Sequence, residues 1–155
     1  MATTNYRRQK EKQARRIQEK LLINIETIRF CDRPLLEKLG QMELTWDLAA
    51  DKLEGLGKLD DPNGDPRCAT SVSTNYELFR NYVDRYLRSR DDLHQKQNFI
   101  LVRTLAPSRH GLPLDIFAFT RQTDCVDFLN AQTSIFTRLV AMELCLYQHN
   151  GDPVD

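Results

Sequence analysis

The amino-acid sequence predicts an α+β domain of the ferredoxin-like type, a split βαβ sandwich with an additional helix in the first crossover. Residues 16–30 are rich in β-branched side chains, residues 101–119 contain two β-rich runs around a turn, and residues 123–144 carry apolar side chains at helical spacing. The chain has 155 residues, 41% of them hydrophobic, which is enough for one domain with its own core.

The first predicted strand has apolar side chains on both faces, as a covered central strand requires. Asp32 and Pro34 then predict a helix start, because a proline in the first turn has no N–H that the helix needs. Helical spacing continues until Gly57, with Gly40 as a break or bend between two helices. Residues 58–67 contain two prolines and one glycine among charged residues, and they predict an exposed loop.

A capping box begins the next predicted helix. Thr74 and Glu77 have the spacing at which a hydroxyl and a carboxylate each satisfy a free backbone donor. Apolar and aromatic side chains, three tyrosines among them, then follow on one side as far as Leu87. We interpret this stripe as core, because a stacking platform for nucleic acid would need basic residues interleaved on a sheet.

The hairpin predicted over residues 101–119 has an unusually long connection. Pro107, Gly111 and Pro113 shape the turn, and Pro113 removes a ladder donor near the start of the second strand. Alternate residues of that strand, 116 to 119, place apolar side chains on both faces of the sheet. A second apolar face on a small domain indicates association, so we expect the hairpin to be an assembly element.

Arg103 lies inside the first strand of this hairpin. A guanidinium in a strand must find an acceptor, extend to an edge or reach a partner chain. We favour a structural role for it, in which Arg103 pairs within the domain or across subunits, over a role in ligand binding.

The last helix is predicted over residues 123–144 and a short final strand over residues 145–147. The helix shows a wide, mostly apolar face. The residues of that face are Val126, Phe128, Leu129, Gln132, Ile135, Phe136, Leu139 and Val140.

The sequence contains no nucleophile elbow, phosphate-binding loop, dinucleotide fingerprint or zinc-protease motif. The pairs Asp60-Asp61 and Asp91-Asp92 lie in polar surroundings that would not raise a carboxyl pKa, so we interpret them as solvated surface. The four cysteines and three histidines are widely spaced. We therefore expect no enzyme, no cofactor and no metal, and we predict that the cysteines are buried thiols in a reducing compartment.

Basic and acidic residues balance at 22 each, so we expect no nucleic acid as a partner of the domain. The first 20 residues nevertheless hold seven basic and two acidic side chains. We assign residues 1–14 to a basic segment, either foreign to the natural chain or the cut end of a longer one. It could also be an RNA-binding arm, although a solvated helix or frayed terminus is simpler. The domain itself covers residues 15–148, and residues 149–155 form a tail.

Short motifs in a fixed order are spread over residues 15–148. They are Arg15-Arg16-Ile17, Ile28-Arg29-Phe30-Cys31, Thr74-Asn75, Phe79-Arg80, Tyr86-Leu87, Val102-Arg103, Leu105, Pro107, Gly111-Leu112-Pro113-Leu114, Gln132, Ile135-Phe136 and Tyr147-Gln148. In this combination the chain resembles the cytoplasmic carboxy-terminal region of small-conductance mechanosensitive channels, the MscS family, and most closely its miniconductance branch. It departs from the family near Asp124, where aromatic residues are usual and this sequence has Cys125 ahead of Phe128, and residues 1–14 match it poorly.

The resemblance implies a domain that joins copies of itself in a heptameric ring and forms a cage below the pore, used in the release of osmotic stress. It places the domain on the cytoplasmic side of the inner membrane, attached through membrane helices that this chain does not contain. No apolar run of about 20 residues and no signal peptide is present, so we expect a soluble chain that does not itself conduct ions. We expect a monomer or weak oligomer of the isolated chain. The alternative is a free-standing ferredoxin-like module that binds a ligand or a protein.

Overall fold

The computed structural model describes residues 15–57, 73–96, 99–121 and 124–147. The described chain is α+β, as predicted, with a three-stranded antiparallel sheet and four α-helices. The strands are β1 (Arg15–Ile23), β2 (Ile100–Thr104) and β3 (Leu112–Thr120), and the helices are α1 (Arg33–Gly40), α2 (Trp46–Gly57), α3 (Asn75–Ser89) and α4 (Cys125–Tyr147). The predicted segments 1–14, 58–67 and 149–155 lie outside the described residues.

The chain forms two compact units. The described part of the first, which we call the sheet unit, comprises residues 15–24, 83–96, 99–121 and 124–141 and contains all three strands. The described part of the second, the helical unit, comprises residues 25–57, 73–82 and 142–147 and contains α1 and α2. Helices α3 and α4 each contribute to both units.

In the sheet unit, β3 is the central strand, with β1 on one side and β2 on the other. Both pairings are antiparallel, so β1 and β2 run in the same direction with β3 inserted between them. One face of this sheet, the inner face, is covered and supplies the core of the unit. Its fully buried side chains are Ile17, Ile23, Ile100, Leu114, Ile116 and Ala118.

The first strand is shorter than predicted. It ends at Ile23, and residues Ile25–Thr27 form a turn of 3-10 helix. The register gives the reason, because Ile23 pairs with Leu112, the first residue of β3. Beyond Ile23 the strand has no ladder partner on β3, and its backbone groups must bond elsewhere.

The start of α1 agrees with the prediction. Asp32 is the N-cap, and its carboxylate accepts a hydrogen bond from the Leu35 N–H at 3.0 Å, with Pro34 in the first turn. A short 3-10 turn then separates α1 from α2, and the Thr45 hydroxyl fixes it by donating to the Leu39 carbonyl at 2.7 Å. The break expected near Gly40 is therefore a real boundary between two helices.

The predicted final strand at residues 145–147 is wrong, because α4 continues to Tyr147. No glycine or proline interrupts residues 125–147, and Ile135, Leu139 and Met142 continue the buried stripe at helical spacing. The buried stripe is also narrower than the apolar face expected from the sequence. Three members of that predicted face are exposed, namely Val126, Leu129 and Val140.

Candidate functional site: the outer sheet face and its hairpin

The second face of the sheet, which we call the outer face, is formed by the residues that alternate with the buried ones. They are Arg16, Gln18, Lys20 and Leu22 on β1, Pro113, Asp115, Phe117 and Phe119 on β3, and Leu101 and Arg103 on β2, with Phe99 just before β2. Leu22 and Leu101 are 54% and 50% exposed. The outer face is thus apolar in part and open to solvent, in agreement with the second apolar face that the sequence predicts.

A row of three charged residues crosses the outer face. Asp115 on the central strand is paired in register with Lys20 on one side and Arg103 on the other. The Arg103 Nε–H donates to Asp115 Oδ2 at 2.9 Å. The acceptor that Arg103 requires therefore lies within the same chain, on the neighbouring strand.

The two partners of this ion pair differ strongly in exposure. The Arg103 side chain is 64% exposed, whereas that of Asp115 is 1% exposed. The second carboxylate oxygen, Asp115 Oδ1, is buried and has no hydrogen-bond partner among the described residues. Among the described residues, Arg103 alone donates a hydrogen bond to the buried Asp115 carboxylate. Loss of Arg103 would leave this buried charge without a hydrogen-bond donor.

An aromatic cluster occupies one end of the outer face. The rings of Phe99 and Phe119 meet edge to face with centroids 5.0 Å apart, and those of Phe117 and Phe119 do so at 5.7 Å. The Arg16 guanidinium lies 5.1 Å from the centroid of the Phe117 ring, within the range of a cation–π contact. These three rings are half-buried, so each keeps part of its surface accessible.

The turn of the hairpin is fixed by its glycine. Gly111 has φ +136°, and a Cβ atom at this position would lie 2.6 Å from the Ile23 carbonyl oxygen. Ser108 and Gly111 exchange backbone hydrogen bonds at 3.0 and 3.1 Å, and these close the turn. Only glycine fits here without strain, since the conformation and the close approach both exclude a side chain.

The two prolines of the turn lie on either side of this closure. Pro107 is exposed. Pro113 lies inside β3, opposite Leu22, and its carbonyl oxygen accepts from the Leu105 N–H at 3.0 Å. Its missing N–H is compatible with the pairing. The role of these prolines in shaping the hairpin stays a prediction.

One of the two hydrogen bonds of the capping box predicted for α3 is present at the start of the helix. Thr74 Oγ1 accepts from the Glu77 N–H at 3.1 Å, directly before the first residue of the helix. These two residues belong to the helical unit, whereas Arg103 and the hairpin belong to the sheet unit. The site residues proposed from the sequence therefore serve two separate structural purposes.

Sequence reasoning missed Asn75, the residue that follows the cap. Its buried side chain accepts hydrogen bonds at Oδ1 from the N–H groups of Arg29 and Tyr76, at 3.0 and 2.9 Å, and donates from Nδ2 to the Thr27 carbonyl at 2.9 Å. Two of these partners lie 46 and 48 residues earlier in the chain. No local pattern around Asn75 indicates them.

A second cluster of charged side chains is structural. The Arg90 guanidinium donates to both oxygens of Asp92, at 2.9 and 2.6 Å, and to the Tyr86 hydroxyl at 2.8 Å. The hydrogen bond to Asp92 raises the pKa of Arg90 above its usual value. Asp92, one of the paired carboxylates in the sequence, is thus held in an ion pair, and Asp60-Asp61 lies outside the described residues.

The described thiols divide into one buried and one exposed group. Cys31 is fully buried, and burial raises the pKa of its thiol to about 12. Cys125, at the start of α4, is exposed, so the prediction of a buried thiol is wrong there. Across the described ranges, no group of His, Cys, Asp and Glu side chains is arranged to hold a metal ion.

No protein-family model matches the chain. Among the helices of the described residues, none has the length and apolar character needed to cross a membrane.

Proposed function

We propose that the chain is a cytoplasmic domain of an MscS-family mechanosensitive channel, non-catalytic and serving assembly and vestibule formation. The observation that carries the proposal is the ordered series of motifs from Arg15 to Gln148, of which the Gly-Leu-Pro-Leu hairpin is the most distinctive. Since no family model matches, the proposal depends on this series and on the physical character of the site.

The proposed finer fold is the ferredoxin-like split βαβ arrangement. The strand order β1-β3-β2 supports it, because β1 and β2 run in the same direction with an antiparallel strand between them. The long connection from β1 to β2 contains α1, α2 and α3, which agrees with extra helix in the first crossover.

The hairpin supports a role in assembly rather than in chemistry. Its conformation depends on Gly111, and its outer surface carries the half-exposed Leu101 and the exposed Arg103. We propose that copies of the chain meet through the exposed apolar part of the outer face, around Leu22 and Leu101. Monomeric proteins seldom leave large apolar patches open to solvent.

The coding sequence upstream of Arg15 tests the proposal most directly. We expect it to encode several apolar helices that end shortly before β1. An upstream sequence that encodes a different kind of domain, or a start codon next to this segment, would contradict the channel assignment and favour a free-standing module.

A physiological test follows if apolar helices are found. The full-length protein, expressed in bacterial cells that lack mechanosensitive channels, is expected to raise survival after a sudden fall in external osmolarity. A full-length variant with the exposed Lys38→Ala substitution is the matched control and should behave as the wild type. Equal survival of cells with and without the wild-type protein would contradict the proposal.

A further inference from the structure

We propose that the outer sheet face binds single-stranded nucleic acid, with bases stacked on the phenylalanine rings and phosphates on the flanking cations. This inference does not rest on the channel assignment, and it names single-stranded nucleic acid, in place of a second copy, as the occupant of the surface around Leu101 and Arg103. From the sequence, RNA binding is an alternative only for the basic residues 1–14, since the tyrosine stripe of α3 lies on a helix. The strand register, in contrast, places aromatic and basic residues next to each other on one face of a sheet.

Three phenylalanine rings that could stack with bases lie together at one end of the outer face. Phe117 and Phe119 are two residues apart on the central strand, and Phe99, just before β2, joins them, so the three rings form one cluster with edge-to-face contacts. All three are half-buried, which fixes the rings while leaving part of each surface accessible. An open ring face can stack with any base, since every base has a π-face. On Phe117 the Arg16 guanidinium lies over the ring, so a base stacked on that side would take its place.

The cations are placed beside the rings. Arg16 contacts Phe117, and Lys20 and Arg103 form the next row along the strands. These three cations oppose one carboxylate on the same face, Asp115, so the face is positively charged although the whole chain is neutral. Arg103 bonds to Asp115 through Nε and remains 64% exposed, so further donors of its guanidinium are available to a phosphate.

Two other occupants fit the outer face less well, namely a second copy that presents the same face and a nucleic-acid duplex. A second copy that presented its own outer face would bring Arg16, Lys20 and Arg103 against their equivalents, and like charges across an isologous contact are repulsive. A duplex keeps its bases stacked inside, where rings on an open sheet cannot reach them. An unstacked single strand offers both the π-faces and the negative charge that the outer face complements.

The test is the binding of a short fluorescein-labelled oligouridylate to the full chain, followed by fluorescence anisotropy across a series of NaCl concentrations. Three phosphate contacts predict a slope of log K against log [NaCl] of about −2. Lys20→Ala should reduce that slope by about 0.7, whereas Lys38→Ala, an exposed lysine of the helical unit, should leave it unchanged.

A matched pair of phenylalanines separates stacking from general charge attraction. Phe117 lies under Arg16 at 5.1 Å on the outer face, and Phe128 on α4 lies under Arg15 at 5.2 Å. Phe117→Leu is expected to weaken binding by about 5- to 140-fold, the range for loss of one stacked base. Phe128→Leu is expected to leave the affinity unchanged, with circular dichroism of both variants to confirm that each is folded.

Several results would overturn the inference. One is the absence of an anisotropy change at the lowest salt, and another is an equal affinity for an RNA duplex. A third is displacement of the labelled strand by uridine monophosphate at the same concentration as by unlabelled oligouridylate. A fourth is an equal loss of affinity in Phe117→Leu and Phe128→Leu. Salt-sensitive binding that Phe117→Leu does not alter would assign the interaction to the basic residues 1–14 instead. Light scattering that shows a stable oligomer dissolved by Leu101→Glu would assign the face to contacts between copies.

Discussion

The inner and outer faces of the sheet are built from alternate residues of the same three strands, but different interactions stabilise them. On the inner face the central strand presents Leu114, Ile116 and Ala118, all fully buried. On the outer face it presents a buried carboxylate and two half-buried rings, Asp115, Phe117 and Phe119. The inner face depends on apolar burial, whereas the outer face depends on an ion pair and on ring contacts.

Two consecutive arginines of β1 make the same kind of contact but serve different structural purposes. Arg15 and Arg16 each lie over a phenylalanine ring, at 5.2 and 5.1 Å, on opposite faces of β1. The Arg15 contact joins the sheet to α4, while the Arg16 contact stays within the sheet. The same interaction therefore serves tertiary packing on one face and local order on the other.

The largest difference between the faces is expected from truncation of aliphatic side chains. Ile116→Ala removes buried methyl and methylene groups from the inner face, and it should lower the free energy of unfolding by about 2–5 kcal/mol. Leu101→Ala, at a half-exposed position of the outer face, should cost about 1 kcal/mol or less. Urea denaturation followed by circular dichroism measures both, and equal losses would mean that the two faces are equally packed.

The next largest effect is expected at the end of the sheet, where the hairpin turn lies so close to β1 that Gly111 has no space for a side chain. Gly111→Ala forces a positive φ on a residue with a side chain, which costs about 1–3 kcal/mol before the contact with the Ile23 carbonyl is counted. Gly40→Ala is the control, since its new Cβ would lie 3.9 Å from that of Ala49, an ordinary contact. A thermal melt in which both variants match the wild type would show that the turn can relax.

The ion pair of the outer face gives a smaller, asymmetric effect. Arg103→Ala leaves the buried Asp115 carboxylate without its hydrogen-bond donor, and we expect a loss of about 1–3 kcal/mol in the free energy of unfolding. Asp115→Asn keeps an acceptor oxygen for Arg103, which is largely solvated, so it should cost about 1 kcal/mol or less. Chemical denaturation of the monomer distinguishes the two, and a stable Arg103→Ala variant would indicate that the main partner of Arg103 lies on another chain.

The smallest effects are expected from the paired arginines. Arg15→Ala and Arg16→Ala each remove one cation–π contact, and each should lower the free energy of unfolding by about 0.5–1 kcal/mol. Because the contacts have nearly equal distances, the losses should be similar despite the different faces. A much larger loss for Arg15→Ala would show that its contact with α4 contributes packing beyond the cation–π term.

Features set by neighbouring residues were predictable from the sequence. The caps at Asp32 and Thr74 and the glycine of the hairpin lie where the local pattern places them. The alternation of residues 116–119 also indicates correctly that both sheet faces carry apolar side chains. Each of these features depends on fewer than about six residues of chain, the range over which local patterns act.

Features set by register or by distant segments were not predictable. The sequence indicates that Arg103 needs an acceptor, but Asp115 becomes that acceptor only through the pairing of β2 with β3. The alignment of Lys20 with the same carboxylate depends on a second pairing, between β1 and β3. The last three residues of α4 were taken for a strand because three apolar residues carry too little periodicity to separate the two structures.

The hydrogen bonds of Asn75 have a consequence for the order of folding. Its side chain binds the backbone of Thr27 and Arg29, so the first turn of α3 acquires these bonds only when a segment about 46 residues earlier has returned to it. Closing such a loop costs chain entropy before any contact compensates for it, and this slows folding. We therefore expect the hydrogen bonds of Asn75 to form late in folding, although the local signals at the start of α3 favour early helix formation.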